Sequence, residues 1–330
     1  MCRSKAQGGR RCSGKGRRGA SFQAAPVETE SPRLEVVSVR PMEAYEGNGS
    51  ITTSRRSDGL YVVEERHNNK KDSTITYYNA NPEGMSSLDS HKNLHRLDGP
   101  AMVRYIDGAV DEEWWYRDGK LYRNPDEGPA SITHTTFGRV QKTYTNSDES
   151  RRIETYTLDG SVEREEWKNA DGEGSRPETE GPAVIKYNKD GDIVGYEYRE
   201  EGNLHRVNGP AWKETDRYTG ETVERYYFNG KPKNSTNPGE APVIVRREDG
   251  SIKRREWTKG TPEIGYNMGE TKLKHHRTDG PAIIEYNEDG TAKSEKFYIN
   301  DKETTAEAFE ERRQKEREKR AARREAQANN

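Results

Sequence analysis

Three histidine–arginine pairs are the side chains in this chain with the clearest capacity for chemistry. The pairs are His95–Arg96, His205–Arg206 and His276–Arg277. An imidazole can transfer protons near neutral pH, and a guanidinium can bind an anion. A catalytic residue is needed only once, whereas a structural residue recurs in every repeat. We therefore expect these pairs to make turn hydrogen bonds or to stack on aromatic rings, with a repetitive anion-binding stripe as the functional alternative.

Glutamates also recur, each directly before an aromatic residue, at Glu166, Glu197 and Glu256. Acid–base catalysis by carboxylates needs a desolvated pocket. These glutamates alternate with Arg and Lys, which favours ion pairs between strands on a solvated face. The sequence shows no phosphate-binding glycine loop, no metal-ligand cluster and no nucleophile–base pair. We therefore predict that the protein is not an enzyme and has no catalytic residue, cofactor or metal.

The side chains above belong to a repeat centred on a turn glycine, usually as Asp-Gly. The repeat glycines are Gly59, Gly108, Gly138, Gly160, Gly191, Gly220, Gly250 and Gly290. Their spacing of about 30 residues, with insertions, is typical of a repeat array. In the copy from Gly181 to Tyr198, Ala183, Ile185 and Tyr187 alternate with Val184 and Lys186, which is the pattern of a half-buried strand, and the Asp-Gly that follows supplies a hairpin turn.

An aromatic residue recurs seven positions after the glycine (position +7), and an apolar residue usually lies at position +2. The aromatic residues are Trp115, Trp167, Tyr198, Tyr227, Trp257 and Phe297. Positions +2 and +7 have opposite parity, so a regular strand would place their side chains on opposite faces, whereas a bulge between them would bring both inward. Either arrangement is compatible with a two-sided sheet. We expect Trp167 and Trp257 to be equivalent and partly buried on one face. The first five aromatic residues, with the histidine–arginine pairs, are the candidate binding residues.

Gly-Pro steps join the hairpins, and a proline at the first residue of a strand removes no needed hydrogen-bond donor. The predicted fold is all-β: about seven or eight β-hairpins stacked into one elongated antiparallel sheet over residues 46–302. Residues 1–45 are predicted to be a disordered basic arm. Residues 303–330 are predicted to be a charged helix, which has Phe309 as its one large apolar side chain and so would dock only there.

Composition narrows the class of protein. The net charge is −2, yet residues 1–20 hold seven basic residues and no acidic one. No apolar stretch reaches the ~18 residues of a membrane span. The two cysteines, Cys2 and Cys12, both lie in the arm, so the repeats contain no disulfide framework. These features predict a soluble cytoplasmic protein.

Two resemblances add to this interpretation. The pattern Tyr-x-x-Asp-Gly…Glu-x-Tyr…Gly-x-Leu-His-Arg…Gly-Pro-Ala, over roughly residues 49–300, resembles a divergent MORN-type repeat. It is most similar to the bacterial variant in repeat proteins often labelled antitoxin-like, which implies a non-catalytic protein-binding or scaffolding role. The start, Cys-Arg-Ser…Gly-Gly-Arg-Arg-Cys, is similar to a short leader of actinobacterial and phage proteins. That leader implies an address, packaging or delivery tag.

We therefore expect a repeat scaffold that binds a protein partner of unknown identity. The alternative is a binder of nucleic acid or an anionic surface, which would use the basic arm and the C-terminal helix. Partner binding is expected in the insertions that interrupt the repeat, at residues 79–93, 169–179 and 260–274.

Overall fold

A computed structural model describes residues 32–42, 48–67, 71–135, 137–233, 241–260 and 274–328. The strands are β1 (Leu34–Pro41), β2 (Gly49–Arg56), β3 (Tyr61–His67), β4 (Ser73–Tyr78), β5 (Met102–Ile106), β6 (Ala109–Trp114), β7 (Tyr116–Arg117), β8 (Lys120–Leu121), β9 (Ser131–His134), β10 (Val140–Thr145), β11 (Arg151–Tyr156), β12 (Val162–Lys168), β13 (Val184–Tyr187), β14 (Ile193–Glu197), β15 (Arg199–Glu200), β16 (Asn203–Leu204), β17 (Trp212–Thr215), β18 (Thr222–Arg225), β19 (Tyr227–Phe228), β20 (Lys231–Pro232), β21 (Val243–Arg246), β22 (Ile252–Glu256), β23 (Thr258–Lys259), β24 (Lys274–His275), β25 (Ile283–Tyr286), β26 (Ala292–Ile299) and β27 (Lys302–Thr304). The helices are α1 (Ser87–Lys92) and α2 (Ala306–Ala328), with 3-10 turns at Pro125–Glu127 and Glu178–Glu180.

Nineteen of these strands form one antiparallel sheet, which confirms the predicted fold class. The pairings follow the chain in the order β1, β2, β3, β4, β5, β6, β9, β10, β11, β12, β13, β14, β17, β18, β21, β22, β25, β26 and β27. The other eight strands form four two-stranded hairpins beside this sheet.

The Asp-Gly turns form as the sequence predicts. In the β11–β12 turn, Gly160 adopts a φ of +85° and Asp159 accepts a 3.0 Å hydrogen bond from the Ser161 backbone N–H. The hydroxyls of Ser161 and Thr157 also donate to this carboxylate, and these bonds lower the pKa of Asp159 to about 2. The turn conformation therefore comes from short-range sequence alone.

A bulge, one of the two arrangements compatible with the spacing of positions +2 and +7, occurs in five hairpins. The extra residue lies three positions after the glycine, at Asp111, Glu163, Val194, Lys253 and Lys293. The residue at +2 is nevertheless not inward in every copy, since Ile193 is 58% exposed and Val110 is 43% exposed. Position +2 lies at the tip of its strand, away from the middle of the sheet where burial is greatest.

The core is thin. One row of directly opposed residues runs across the sheet from Ser38 in β1 to Lys296 in β26, and opposed residues share a face. Its buried members are Thr53, Val63, Thr76, Ser131, Thr143, Val184, Glu197 and Val243. The alanine after each repeated Gly-Pro is fully buried, at Ala101, Ala130, Ala183, Ala211 and Ala282. Small residues at these positions let the links lie close against the sheet.

The boundary predicted for the N-terminal arm is wrong. Residues 34–41, inside the expected disordered segment 1–45, form strand β1 and pair with β2 from Leu34↔Arg56 to Pro41↔Ser50. The physical reason is that valines and a leucine of high strand propensity occur here, and the edge of the sheet supplies backbone partners. Residues 1–31, with Cys2 and Cys12, lie outside the described residues.

The links between the predicted hairpins hold a second, shorter hairpin that the sequence interpretation missed. In the chain from β7 to β8, Asp118 and Gly119 have φ values of +49° and +74°. Two successive residues with positive φ are typical of a tight type I′ hairpin turn. Glu201–Gly202 and Asn229–Gly230 repeat this geometry between β15 and β16 and between β19 and β20.

Helix α2 confirms the predicted C-terminal helix and its single docking point. Phe309 is 3% exposed, and its ring centroid lies 4.9 Å from that of Phe297 in β26. Nearly all the other side chains of α2 are exposed. Neither α1 nor α2, the α-helices of the described residues, is long and apolar enough to cross a membrane.

Candidate binding surface

Each repeated arginine lies over an aromatic ring of its own unit. The distances from the guanidinium carbon to the ring centroid are 4.1 Å for Arg96–Tyr77, 4.4 Å for Arg123–Trp115, 3.9 Å for Arg176–Trp167, 3.9 Å for Arg206–Tyr198 and 3.8 Å for Arg277–Trp257. These are cation–π stacks. The structure therefore gives the arginines the stacking role expected from their shared position.

The same guanidinium also donates a hydrogen bond to the Gly-Pro link between hairpins. Arg206 Nη1 donates to the Pro210 carbonyl at 3.2 Å, and the other four stacked arginines donate to the equivalent proline carbonyl at 3.2–3.5 Å. Gly209 lies on the guanidinium, and a Cβ added there would come within 3.1 Å of Arg206 Nη1. Glycine is required at this position because its φ is also +115°.

The repeated histidines lie against the turn of the next tight hairpin in the chain. In each case Nδ1 faces the backbone N–H of a residue with positive φ. The N···N distances are 3.1 Å for Asp118–His95, 3.4 Å for Asn229–His205 and 3.1 Å for Asn300–His276. Nδ1 of His95 also lies 2.9 Å from Asp118 Oδ1, and Nδ1 of His205 faces Asn229 Oδ1, so these two rings can instead donate to the side chain of the turn residue. For His276, accepting at Nδ1 requires the imidazole to carry its proton on Nε2. Burial, with Lys259 and Arg312 nearby, lowers the pKa of His276 and so favours this neutral form.

The position assigned to Tyr227 is wrong by one residue. Hairpin β17–β18 has no bulge in its register. The strand therefore reaches the aromatic position one residue sooner, at Tyr226, whose N–H bonds the Pro242 carbonyl as that of Tyr198 bonds the Ala211 carbonyl. Tyr227 instead has no exposed surface and packs with Leu204 and Ala211.

Trp167 and Trp257 are equivalent in their arginine contact but not in burial. Trp257 is 3% exposed, whereas Trp167 is only half-buried. The candidate binding residues therefore divide into buried ones, Trp257 and Tyr227, and half-buried ones. The structure brings Trp115, Trp167, Tyr198 and Trp257 each to an arginine of its own unit, whereas Tyr227 packs in the core. It does not gather these residues into one pocket.

The glutamates before the aromatic position make ion pairs mainly with a cation two residues away in the chain, instead of the predicted pairs between strands. Glu197 is 6% exposed and lies 2.7 Å from Arg199, two residues later. Glu256 contacts Arg254 at 2.6 Å and His275 at 3.1 Å. Burial alone would raise the pKa of Glu256, but these cationic partners outweigh it and lower that pKa. Among the residues that the structure describes, no group of three or more His, Cys, Asp or Glu could hold a metal ion.

An open groove of about 1270 Å³ crosses the sheet from β11 to β17, and sequence reasoning missed it. Its floor holds an ion pair between Lys186 and Glu214, with Nζ and Oε2 2.8 Å apart. Gly195 lies between these residues in the register and leaves room for Lys186 to reach Glu214. Tyr187 also lines the groove and donates its hydroxyl to Glu165 at 2.8 Å.

The turns beside this groove carry exposed apolar side chains, which we call the turn-edge rim. Its members are Phe137 (80% exposed), Leu158 (81%), Ile193 (58%) and Tyr218 (80%). They lie in or next to the β9–β10, β11–β12, β13–β14 and β17–β18 connections, so they occupy one edge of the sheet. The sequence signal was an apolar residue close to a turn glycine, where solvated turns usually carry polar residues.

The three insertions expected to bind a partner have different structures. Residues 79–93 contain α1, whose first turn is capped by the Ser86 hydroxyl accepting from Asp89 N–H at 3.2 Å. Residues 169–179 form a turn and lead into the 3-10 turn at Glu178–Glu180. Residues 261–273 of the third insertion lie outside the described residues. None of this tests their role in binding, which stays a prediction.

Comparison with known proteins adds no relative: no protein-family model matches the chain, and no curated protein sequence matches it.

Proposed function

We propose that this protein is a non-catalytic repeat scaffold that binds another protein through the groove and the turn-edge rim. The observation that carries the proposal is the run of exposed apolar side chains along that edge, beside a floor of paired charges. Adjacent exposed apolar side chains mark interaction sites in soluble proteins. The MORN-type resemblance of the repeat supports the same function.

The histidine–arginine pairs have a structural role in this proposal. Their polar atoms are directed at links and turns of the protein itself, so the aromatic rings beneath them are not free for a partner. The rim residues hold no link or turn in place, although Arg217 lies 4.6 Å over the Tyr218 ring and donates to its hydroxyl. Tyr218 is still 80% exposed and combines a large contact area with a polar tip, as interface residues often do. In this proposal the partner therefore contacts the turns of the turn-edge rim and not the histidine–arginine pairs or the rings beneath them.

A second candidate function is binding of nucleic acid or an anionic surface. The specific observation in its favour is the exposed second half of α2, which carries Arg317, Lys319, Arg320, Arg323 and Arg324. Basic residues near the C-terminal end of a helix also complement its dipole, which explains them without an anionic partner. Retention on DNA that weakens steeply with added salt would distinguish this function from protein binding. We propose the cytoplasm as the location, because the repeats contain no cysteine.

Capture from the native cells with nuclease treatment, followed by affinity measurement with the purified partner, tests the scaffold proposal. We expect Leu158→Ala combined with Tyr218→Ala to weaken binding at least about tenfold, because rim side chains would be the central contacts. The matched control is Leu97→Ala with Val207→Ala, which removes apolar side chains that are 69% and 49% exposed on the links. Equal affinity for the two double variants would contradict the proposed surface.

The stacked arginines should determine stability instead. Arg206→Ala removes the stack on Tyr198 and the bond to Pro210, so we expect the free energy of unfolding to fall by about 2 kcal/mol. Arg206→Lys should recover only part of this loss, because an ammonium lacks the planar fork. Urea unfolding followed by circular dichroism measures both, with Arg323→Ala on the exposed part of α2 as control. If Arg206→Ala left the stability unchanged but abolished partner binding, the arginines would have a binding role and not a structural one.

A further inference from the structure

Strand β1 forms one edge of the sheet and exposes apolar side chains to solvent. Among the described residues it pairs with β2 alone, so its outer backbone N–H and C=O groups have no strand beside them. Leu34 and Val36 are each 60% exposed and Val39 is 66% exposed. A long apolar edge strand is a template for pairing with another chain.

A bulge determines which side chains of β1 share a face. The register with β2 shifts between Val36 and Ser38, so that Val37 is the extra residue. Val36 lies opposite Ser54 and Val39 opposite Thr52. Because Ser54 and Thr52 are two residues apart, they share a face of the sheet, and Val36 and Val39 therefore share that face too.

The polar side chains of β1 lie on the opposite face. Glu35 is opposite Arg55, and Arg40 is opposite Ile51 on β2. Arg55 and Ile51 are four residues apart and share a face, so Glu35 and Arg40 do as well. One face of the edge strand is thus apolar, and the other carries an acid near one end and a base near the other.

From this arrangement we propose that two copies of the chain pair through β1, antiparallel, about a two-fold axis between Val37 and Ser38. Val36 then lies opposite Val39 of the second copy, and Glu35 lies opposite Arg40 of the second copy. Each contact occurs twice, as a two-fold interface requires. The occupant of the edge is therefore a second copy of this chain, joined into one continuous sheet.

The bulge is what makes this register possible. In a regular strand, residues three apart lie on opposite faces, so Val36 could not face Val39 across a two-fold axis. With Val37 as an extra residue, Val36 and Val39 lie on the same face, and so do Glu35 and Arg40, so both pairs can form across the two-fold axis. Ser38 donates its hydroxyl to Glu83 of the same chain, so its side chain takes no part in the pairing. Pro41 ends the interface because it lacks a backbone donor.

The dimer is expected to be weak and reversible. A single pair of strands buries less surface than the ~1,200–2,000 Å² of a standard interface. Sedimentation velocity of the full chain over a dilution series should show a monomer–dimer equilibrium. A chain that is monomeric at every concentration overturns the proposal.

Charge reversal tests the register. Glu35→Arg and Arg40→Glu each place like charges opposite one another at two points, so each single variant should dimerise at least about tenfold more weakly. An equimolar mixture of the two should form a heterodimer at wild-type strength, because every opposed pair is then attractive. The double variant should dimerise like the wild type for the same reason.

Two controls keep the result interpretable. Lys302→Glu makes the same change of charge as Arg40→Glu on an exposed residue of β27, far along the sheet from β1, and should leave the dimer intact. The second control is the thermal unfolding midpoint of each charge-reversal variant, which shows whether the substitution weakens the pairing of β1 with β2. Recovery in the mixture requires folded β1 in both chains, so it confirms the proposal even if a single variant is less stable. Failure of the mixture to recover the dimer, or undiminished dimers in both single variants, overturns it.

Discussion

Tyr227→Ala is expected to lower the free energy of unfolding by about 4 kcal/mol, the cost of removing a fully buried aromatic ring. The ring has no exposed surface and packs with Leu204 and Ala211, with Trp212 alongside. These residues belong to a short hairpin, a link and a main strand, so the cavity would loosen the attachment of the hairpin to the sheet. Urea unfolding followed by circular dichroism measures the loss.

Tyr227→Phe is the matched control, because it keeps the ring and removes only the hydroxyl. The described residues give this buried hydroxyl no hydrogen-bond partner, so its removal should leave stability unchanged or raise it. Burial also raises the pKa of Tyr227 to about 12. The wild type should therefore lose stability as the pH rises from about 10 towards 12, and the Phe variant should lose less. A large loss in Tyr227→Phe at neutral pH would show that the hydroxyl has a partner.

Trp257→Ala should cost about 3–5 kcal/mol, and Trp167→Ala about half as much, although each residue occupies the same place in its unit. Both variants lose an arginine stack of similar geometry, at 3.8 Å and 3.9 Å. The difference comes from burial, since Trp257 is 3% exposed and Trp167 is half-buried. Equal losses in thermal and urea unfolding would mean that the stack, rather than burial, decides the energy.

The features that sequence reasoning predicted correctly depend on near neighbours in the chain. Asp159 and Gly160 specify their turn within three residues, and the bulge at Glu163 is one of the two arrangements that the parity of positions +2 and +7 left open. Phe309 is the one large apolar residue of the C-terminal helix, and its side chain is where the helix contacts the sheet. In each case the pattern and the structure concern the same short segment, so no long-range contact could change the outcome.

The errors arose where the outcome depends on a partner elsewhere. Tyr227 was placed in the wrong position because the β17–β18 turn is longer and has no bulge. Strand β1 was missed because it has no turn glycine, although Leu34 and Val36 alternate with Glu35. The turn-edge rim was missed because exposure of Leu158 and Tyr218 depends on how successive turns align across the sheet. A period in the sequence predicts strands but not which loops come together.

The sequential pairing of the strands also determines how the molecule would respond to force. Each strand of the large sheet pairs with the sheet strands before and after it in the chain, and only scattered side-chain bonds such as Arg56–Asp98 reach further. Tension between the two ends would therefore load the hydrogen bonds of one outer hairpin at a time, and the sheet would unzip instead of shearing as a block. Each unit would resist with its own arginine stack, so the mechanical strength should be low, spread over many small steps, and recovered unit by unit when the tension is released.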